Sequence, residues 1–166
     1  MLPPNQDPDA VLATVRASGG RRSIGLTALG FLGLFLIYLA FSSSPGLGWQ
    51  AFLIVLGVLA LWMAERMRRA TASTIELTSK VIRDSDGTIL AHVADIENLD
   101  RGVFAFKPSN GFLLRVKRGS ELGNAWRPGL WWRIGRRIGV GGMTPGNQTK
   151  YMAEIISILM AGNEQS

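Results

Sequence analysis

The sequence predicts a membrane α-hairpin of two transmembrane helices joined to a small α+β domain, and three observations predict it. No Asp, Glu, Lys or Arg occurs between Ser23 and Ala64, a run of 42 mostly apolar residues. About 20 such residues cross a bilayer core, so the run suffices for two crossings. Its middle is broken by SSSPGLG (Ser42 to Gly48), where proline pre-sets φ and glycine tolerates positive φ, as a turn requires. From Thr74 the apolar period drops to two, the spacing of half-buried strands, and it returns to helical spacing at the C-terminus.

The elements divide into a tail over 1–22, the hairpin with its helical extension over 23–72, and the domain over 73–166. The tail, MLPPNQDPDAVLATVRASGG up to Gly20, reads as flexible. Val11, Leu12 and Val15 have helical spacing, but so short a segment makes a marginal helix. The two spans centre on Ile24 to Phe41 and Gly48 to Ala64. A buried hairpin in a soluble protein would need amphipathic helices around it, and the rest of the chain offers one. A cleaved export signal would fit Gly20-Arg21-Arg22-Ser23-Ile24 with a small-residue site near Ala40. The apolar run outlasts a typical signal core, however, and a second span follows directly.

Orientation follows from the flanking charge. Arg16, Arg21 and Arg22 precede the first span, and Arg66, Arg68 and Arg69 follow the second. The loop between is uncharged, so both termini are expected in the cytoplasm. Tyr38, Trp49 and Trp62 lie towards span ends, where amphipathic rings favour the interface. Gly30 and Gly33 in one span, with Gly57, Ala60 and Ala64 in the other, are small enough for close helix packing.

Beyond the extension ERMRRATA (Glu65 to Ala72), Ile75, Leu77, Ser79 and Val81 alternate with Glu76, Thr78 and Lys80 as one strand. DSDG (Asp84 to Gly87) is a hairpin turn, and Ile89, Ala91 and Val93 lead the next strand. A third is expected within Asn98 to Phe106, a turn at KPSNG (Lys107 to Gly111), and a strand from Phe112 to Val116. The stretch WRPGLWWRIGRRIGVGG (Trp126 to Gly142) holds three tryptophans, four arginines and no acid. Its alternation is expected to turn Trp132, Ile134, Ile138 and Val140 inward, and Trp131, Arg133 and Arg137 outward, with Arg136 near a bend. Met152, Ile155, Ile156 and Leu159 then share one face of a helix over Gln148 to Met160.

Three passages carry a resemblance: TIELTSKVIRDSDGTILAHVADIENLD (Thr74 to Asp100), FAFKPSNGFLLRVKR (Phe104 to Arg118), and WWRIGRRIGV leading to KYMAEIISILM. Placed after a two-span hairpin, they resemble the bacterial membrane proteins that carry a cytoplasmic PH-like domain. The resemblance covers roughly Thr74 to Ala161 and rests on order and texture. It implies a bent antiparallel sheet of about seven strands plugged by the C-terminal helix, of which about six are legible, and location in the bacterial inner membrane. It supplies no catalytic residues.

The residues give little support to an enzyme, and no cofactor is expected. His92 is the only histidine and there is no cysteine, so a zinc or iron–sulfur site lacks ligands. Asp84, Asp86, Asp95, Glu97 and Asp100 read as solvated carboxylates at turns and strand ends. GVGG (Gly139 to Gly142) lacks the lysine of a phosphate loop and reads as a place where a strand bends or a helix approaches.

Charge is more telling. Ala72 to Asp100 carries six acids and two bases, whereas Arg101 to Arg137 carries nine bases and one acid. These halves can pair with one another across the sheet. Alternatively the basic half docks on something acidic. A tethered domain lies near anionic headgroups, each Lys or Arg there contributing about 1 kcal/mol. The expected contact residues are Arg66, Arg68, Arg69, Arg115, Lys117, Trp131, Arg133, Arg136 and Arg137. The partner is then anionic membrane lipid, or else a larger membrane protein complex or a second copy, in which the chain is an accessory subunit. Nucleic acid, which also takes basic residues with stacking aromatics, is not expected of a domain held against lipid.

Overall fold

The structure, a computed structural model, describes residues 9–43, 46–101, 109–120 and 122–163. Two helices, α1 (Gly19–Ser42) and α2 (Leu47–Ala70), form an antiparallel hairpin. Each has 24 residues, about 36 Å at 1.5 Å per residue, enough for a hydrocarbon core of about 30 Å. Both are long and apolar enough to cross a membrane, and only 11% of each apolar window is buried. A core helix of a soluble protein would bury most of that window.

The helices touch where glycine removes the side chain. A Cβ added to Gly33 would stand 2.9 Å from the Gly57 carbonyl oxygen, and one added to Gly57 would stand 2.8 Å from that of Gly33. Gly30 takes no part: nothing lies within 4 Å of a Cβ there. The small-residue contact is thus narrower than its sequence signal.

The domain contains two antiparallel sheets. β1 (Ala13–Arg16), β2 (Thr74–Leu77), β3 (Val81–Asp84) and β4 (Ile89–His92) form the first, in that order. β5 (Ile96–Asp100), β6 (Phe112–Val116), β7 (Ala125–Arg127), β8 (Trp131–Ile134) and β9 (Arg137–Val140) form the second, in the order β5-β6-β9-β8-β7. One 3-10 turn, Val93–Asp95, links the sheets. The C-terminal helix α3 (Gly146–Asn163) packs on β1, on that turn and on β5 and β6, burying Met152, Ala153 and Ile156. A single core joins these layers, with Ile75, Ile82, Leu114, Trp131 and Ile138 all at its centre. Each such side chain contributes about 1.5–3 kcal/mol by leaving water.

Several expectations need correction. Part of the segment read as a flexible tail is a core strand: β1 pairs with β2 in the register Thr14 to Glu76 and Val15 to Ile75. Val15 is fully buried and Ala13 nearly so, with Thr14 and Arg16 exposed, so the local period is two; tertiary burial overrides the helical spacing. The strand expected to run from Ile75 through Val81 is two strands. Thr78 breaks it, its hydroxyl accepting hydrogen bonds from the Lys80 and Val81 amides at 3.3 and 3.1 Å, a side-chain turn that competes with the ladder. β8 has the opposite parity, discussed below. The DSDG turn stands as expected, with Gly87 at φ 86°, and so do the C-terminal helix and the inward Ile138 and Val140. The portions of the third strand and of the KPSNG turn that fall on 102–108 lie outside the described residues.

The domain is tied to the hairpin at both ends. β1 runs into α1, and α2 runs into β2, through residues 17–18 and 71–73. Further contacts hold the base of the hairpin to the segment between β9 and α3. The Ser18 amide donates to the Met143 carbonyl at 2.7 Å, and Arg21 Nη1 donates to that of Thr144 at 3.1 Å. Met143 reaches between the helices, its Cε only 2.4 Å from where a Gly25 Cβ would lie. At the GVGG segment it is a turn, and not a helix, that approaches: Gly142 has φ 119°, and a Cβ on it would lie 3.0 Å from the Gly129 carbonyl oxygen.

Candidate functional site

The expected basic surface separates into residues that hold the fold and residues that face out. Arg133 belongs to the first group. It is 6% exposed, and its guanidinium donates to the carbonyls of Gly123 at 2.6 Å, Leu122 at 2.9 Å, Leu90 at 3.3 Å and Ile89. It therefore staples the 122–123 loop to β4 across the sheets. Burial pushes its pKa down from the ordinary value, although a guanidinium stays charged at neutral pH.

Trp131 is likewise buried, with its indole N–H donating to Asp84 Oδ2 at 3.0 Å. Trp131 and Arg133 point inward while Trp132 and Ile134 point outward, the reverse of the expected parity. The reason is chemical. The tryptophan N–H and the guanidinium find buried acceptors in Asp84 and four carbonyls. Asp84 is correspondingly a fully buried acceptor rather than a solvated turn carboxylate.

Other bases are engaged at the surface. Arg136 bonds the Val116 carbonyl at 2.9 Å and pairs with Glu97. Lys117 donates to the Ala94 carbonyl at 2.9 Å. Arg127 pairs with Asp86 at 2.8 Å and approaches Asp84 at 3.7 Å. The acidic and basic halves thus do pair in part, as cross-sheet compensation requires. Arg68 and Arg69 both reach Glu65 at 2.7 Å, exposed pairs that water screens and that add little to stability.

What remains facing out is Arg115 and Arg137 on the second sheet and Arg66 on α2. All three are exposed, and none makes an ion pair with the described residues. Arg115 and Arg137 are register partners across β6 and β9, and Arg137 also pairs in register with Ile134 on β8. Ile134 is 63% exposed. In the adjacent row Trp126, Trp132, Gly139 and Leu113 follow one another across the four strands from β7 to β6. The indole of Trp132 lies flat over Gly139, where a Cβ would come within 2.4 Å of it. Glycine there lets the ring cover the sheet. The outer face of the second sheet is therefore aromatic along one row and basic along the next.

Trp126 ends the aromatic row and also lines a cleft of about 420 Å³ against α2, with Trp62, Glu65, Arg66, Arg69, Ala70, Arg127 and Pro128. Arg66 lies over the Trp62 ring at 5.8 Å, within cation–π range. The sequence marked Arg66 and Arg69 here, but it did not bring Trp126 and Arg127 to Trp62. Seventeen-residue stretches and strand periods carry no information about which strand of the sheet abuts the hairpin, so no local signal could have found it.

Among the described residues no group of three His, Asp or Glu side chains is placed to hold a metal ion. No family model matches the chain, and no curated protein or solved structure matches it either.

Proposed function

We propose that this protein is a non-enzymatic, membrane-anchored interaction module. In this reading the hairpin spans the bacterial inner membrane with both termini cytoplasmic, and a PH-like domain beneath it docks on anionic headgroups. The observation that carries it is the outer face of the second sheet: Trp126, Trp132 and Ile134 beside Arg115 and Arg137, without acidic partners among the described residues, on a domain tied to the hairpin through 17–18 and 71–73. Aromatic rings suit the headgroup layer and arginines suit its phosphates. Two antiparallel sheets with a C-terminal helix against them support the PH-like reading, although the nine strands among the described residues exceed the seven usual there.

The same exposed tryptophan and isoleucine favour a second reading, an accessory subunit whose domain packs on a larger complex, since aromatics and arginine concentrate at interface hot spots. Because β1 belongs to the first sheet, a fragment beginning at Thr74 would lack a core strand, and the full chain is the material to use. In nanodiscs of phosphatidylcholine, adding phosphatidylglycerol should slow hydrogen exchange on β6 to β9. Salt should reverse the effect, and the double change Arg115→Glu, Arg137→Glu should abolish it. If the exchange ignores lipid charge while mild-detergent extracts contain a stoichiometric companion lost in the double variant, the accessory-subunit reading replaces docking.

A further inference from the structure

We propose that the cleft between the end of α2 and β7 binds the phosphate of a single anionic phospholipid headgroup. This rests on the membrane-docking reading and gives it a defined site. Three arginines and one carboxylate line the cleft, between the rings of Trp62 and Trp126. Glu65 is occupied by Arg68 and Arg69, and Arg127 by Asp86. Arg66 lies over the Trp62 ring and makes no ion pair with an acid among the described residues, so its guanidinium charge is open to an anion. A phosphate supplies what such a planar fork donates to, two acceptor oxygens in a bidentate geometry.

Depth selects a lipid as the source of that phosphate. Ala64 ends the charge-free run, two residues before Arg66, which places the cleft at the level of the adjoining headgroups. Val55, Leu59 and Trp62 are exposed on α2 at helical spacing and lead to Arg66. This apolar stripe runs from the membrane-spanning part of the helix into the cleft. A lipid seated there would lay its acyl chains along the stripe with its phosphate between Arg66 and the two rings. A soluble phosphate ester would leave the stripe unused.

The full chain, released from detergent and analysed by native mass spectrometry, provides the test. Wild type should retain one phosphatidylglycerol per chain in preference to phosphatidylcholine. Arg66→Gln should weaken retention about tenfold, the loss of one charged hydrogen-bonding partner, and Arg66→Lys by less. Trp126→Leu should also weaken it, with thermal unfolding confirming that each variant is folded. Arg115→Gln with Arg137→Gln should weaken it less than Arg66→Gln does, and the exposed Lys80→Gln between β2 and β3 should leave it unchanged. Retention by Arg66→Gln equal to wild type overturns the site. If retention is lost only in the Arg115 and Arg137 variant, the docking reading survives and the cleft does not. If no variant and no lipid charge alters retention, both fall. Glycerol 3-phosphate competing as strongly as the lipid would make the cleft a soluble-phosphate site and overturn the lipid assignment.

Discussion

Phe31 on the hairpin is 71% exposed and Trp62 is 53% exposed, whereas Phe112 and Trp131 in the domain are each 1% exposed. Similar side chains are thus disposed in opposite ways within one chain. In the hairpin the apolar surface is turned outward and the helices meet through glycine, because lipid can solvate apolar groups and close backbone approach supplies the attraction. In the domain the apolar surface is turned inward, and the two charged groups buried with it, Asp84 and Arg133, are hydrogen-bonded, because water is the solvent and an unpaired buried charge is costly. The same kind of substitution should therefore have different consequences in the two regions.

The largest effect is expected at Val15. Val15→Asp buries a carboxylate in the centre of β1 and should cost more than about 3 kcal/mol, read as a fall in the denaturant midpoint of domain tryptophan fluorescence. A chain in which the N-terminal segment were only a tail would not respond. Next is Arg133→Met, which leaves up to four carbonyls without their donor and should cost about 3 kcal/mol by the same measurement. The hairpin is tested by Gly57→Leu, which forces a side chain against the Gly33 carbonyl. A loss of about 1–3 kcal/mol is expected from overpacking, seen as a lowered unfolding temperature in detergent. Gly30→Leu should be silent there, since nothing lies near that position. Smallest is Arg137→Met, four residues from Arg133 but exposed, expected within about 0.5 kcal/mol of wild type. Its effect should appear in lipid docking instead.

The Arg133 and Arg137 pair shows where sequence reading stops. Both are arginines in one basic stretch, and alternation can be read in either of two parities. The inward positions of Ile138 and Val140 follow from the sequence because β9 offers only apolar residues there. β8 offers Trp131 and Arg133 against Trp132 and Ile134, and hydrophobicity alone favours the second pair. Two buried acceptor sets decide for the first, and they lie on β3, on β4 and in the 122–123 loop, far away in sequence. β1 was hidden for a similar reason, since four residues declare a strand only when β2 lies beside them.

The two apolar helices, the break between them, the Asp84 to Gly87 turn and the terminal helix follow from the sequence alone, because composition and short-range spacing specify each. The parity of β8, the burial of Asp84, the strand at Ala13 to Arg16 and the meeting of Trp126 with Trp62 belong to the tertiary structure. Each depends on partners distant along the chain, and the free energy of satisfying a buried donor or completing a sheet exists only once those partners are brought together.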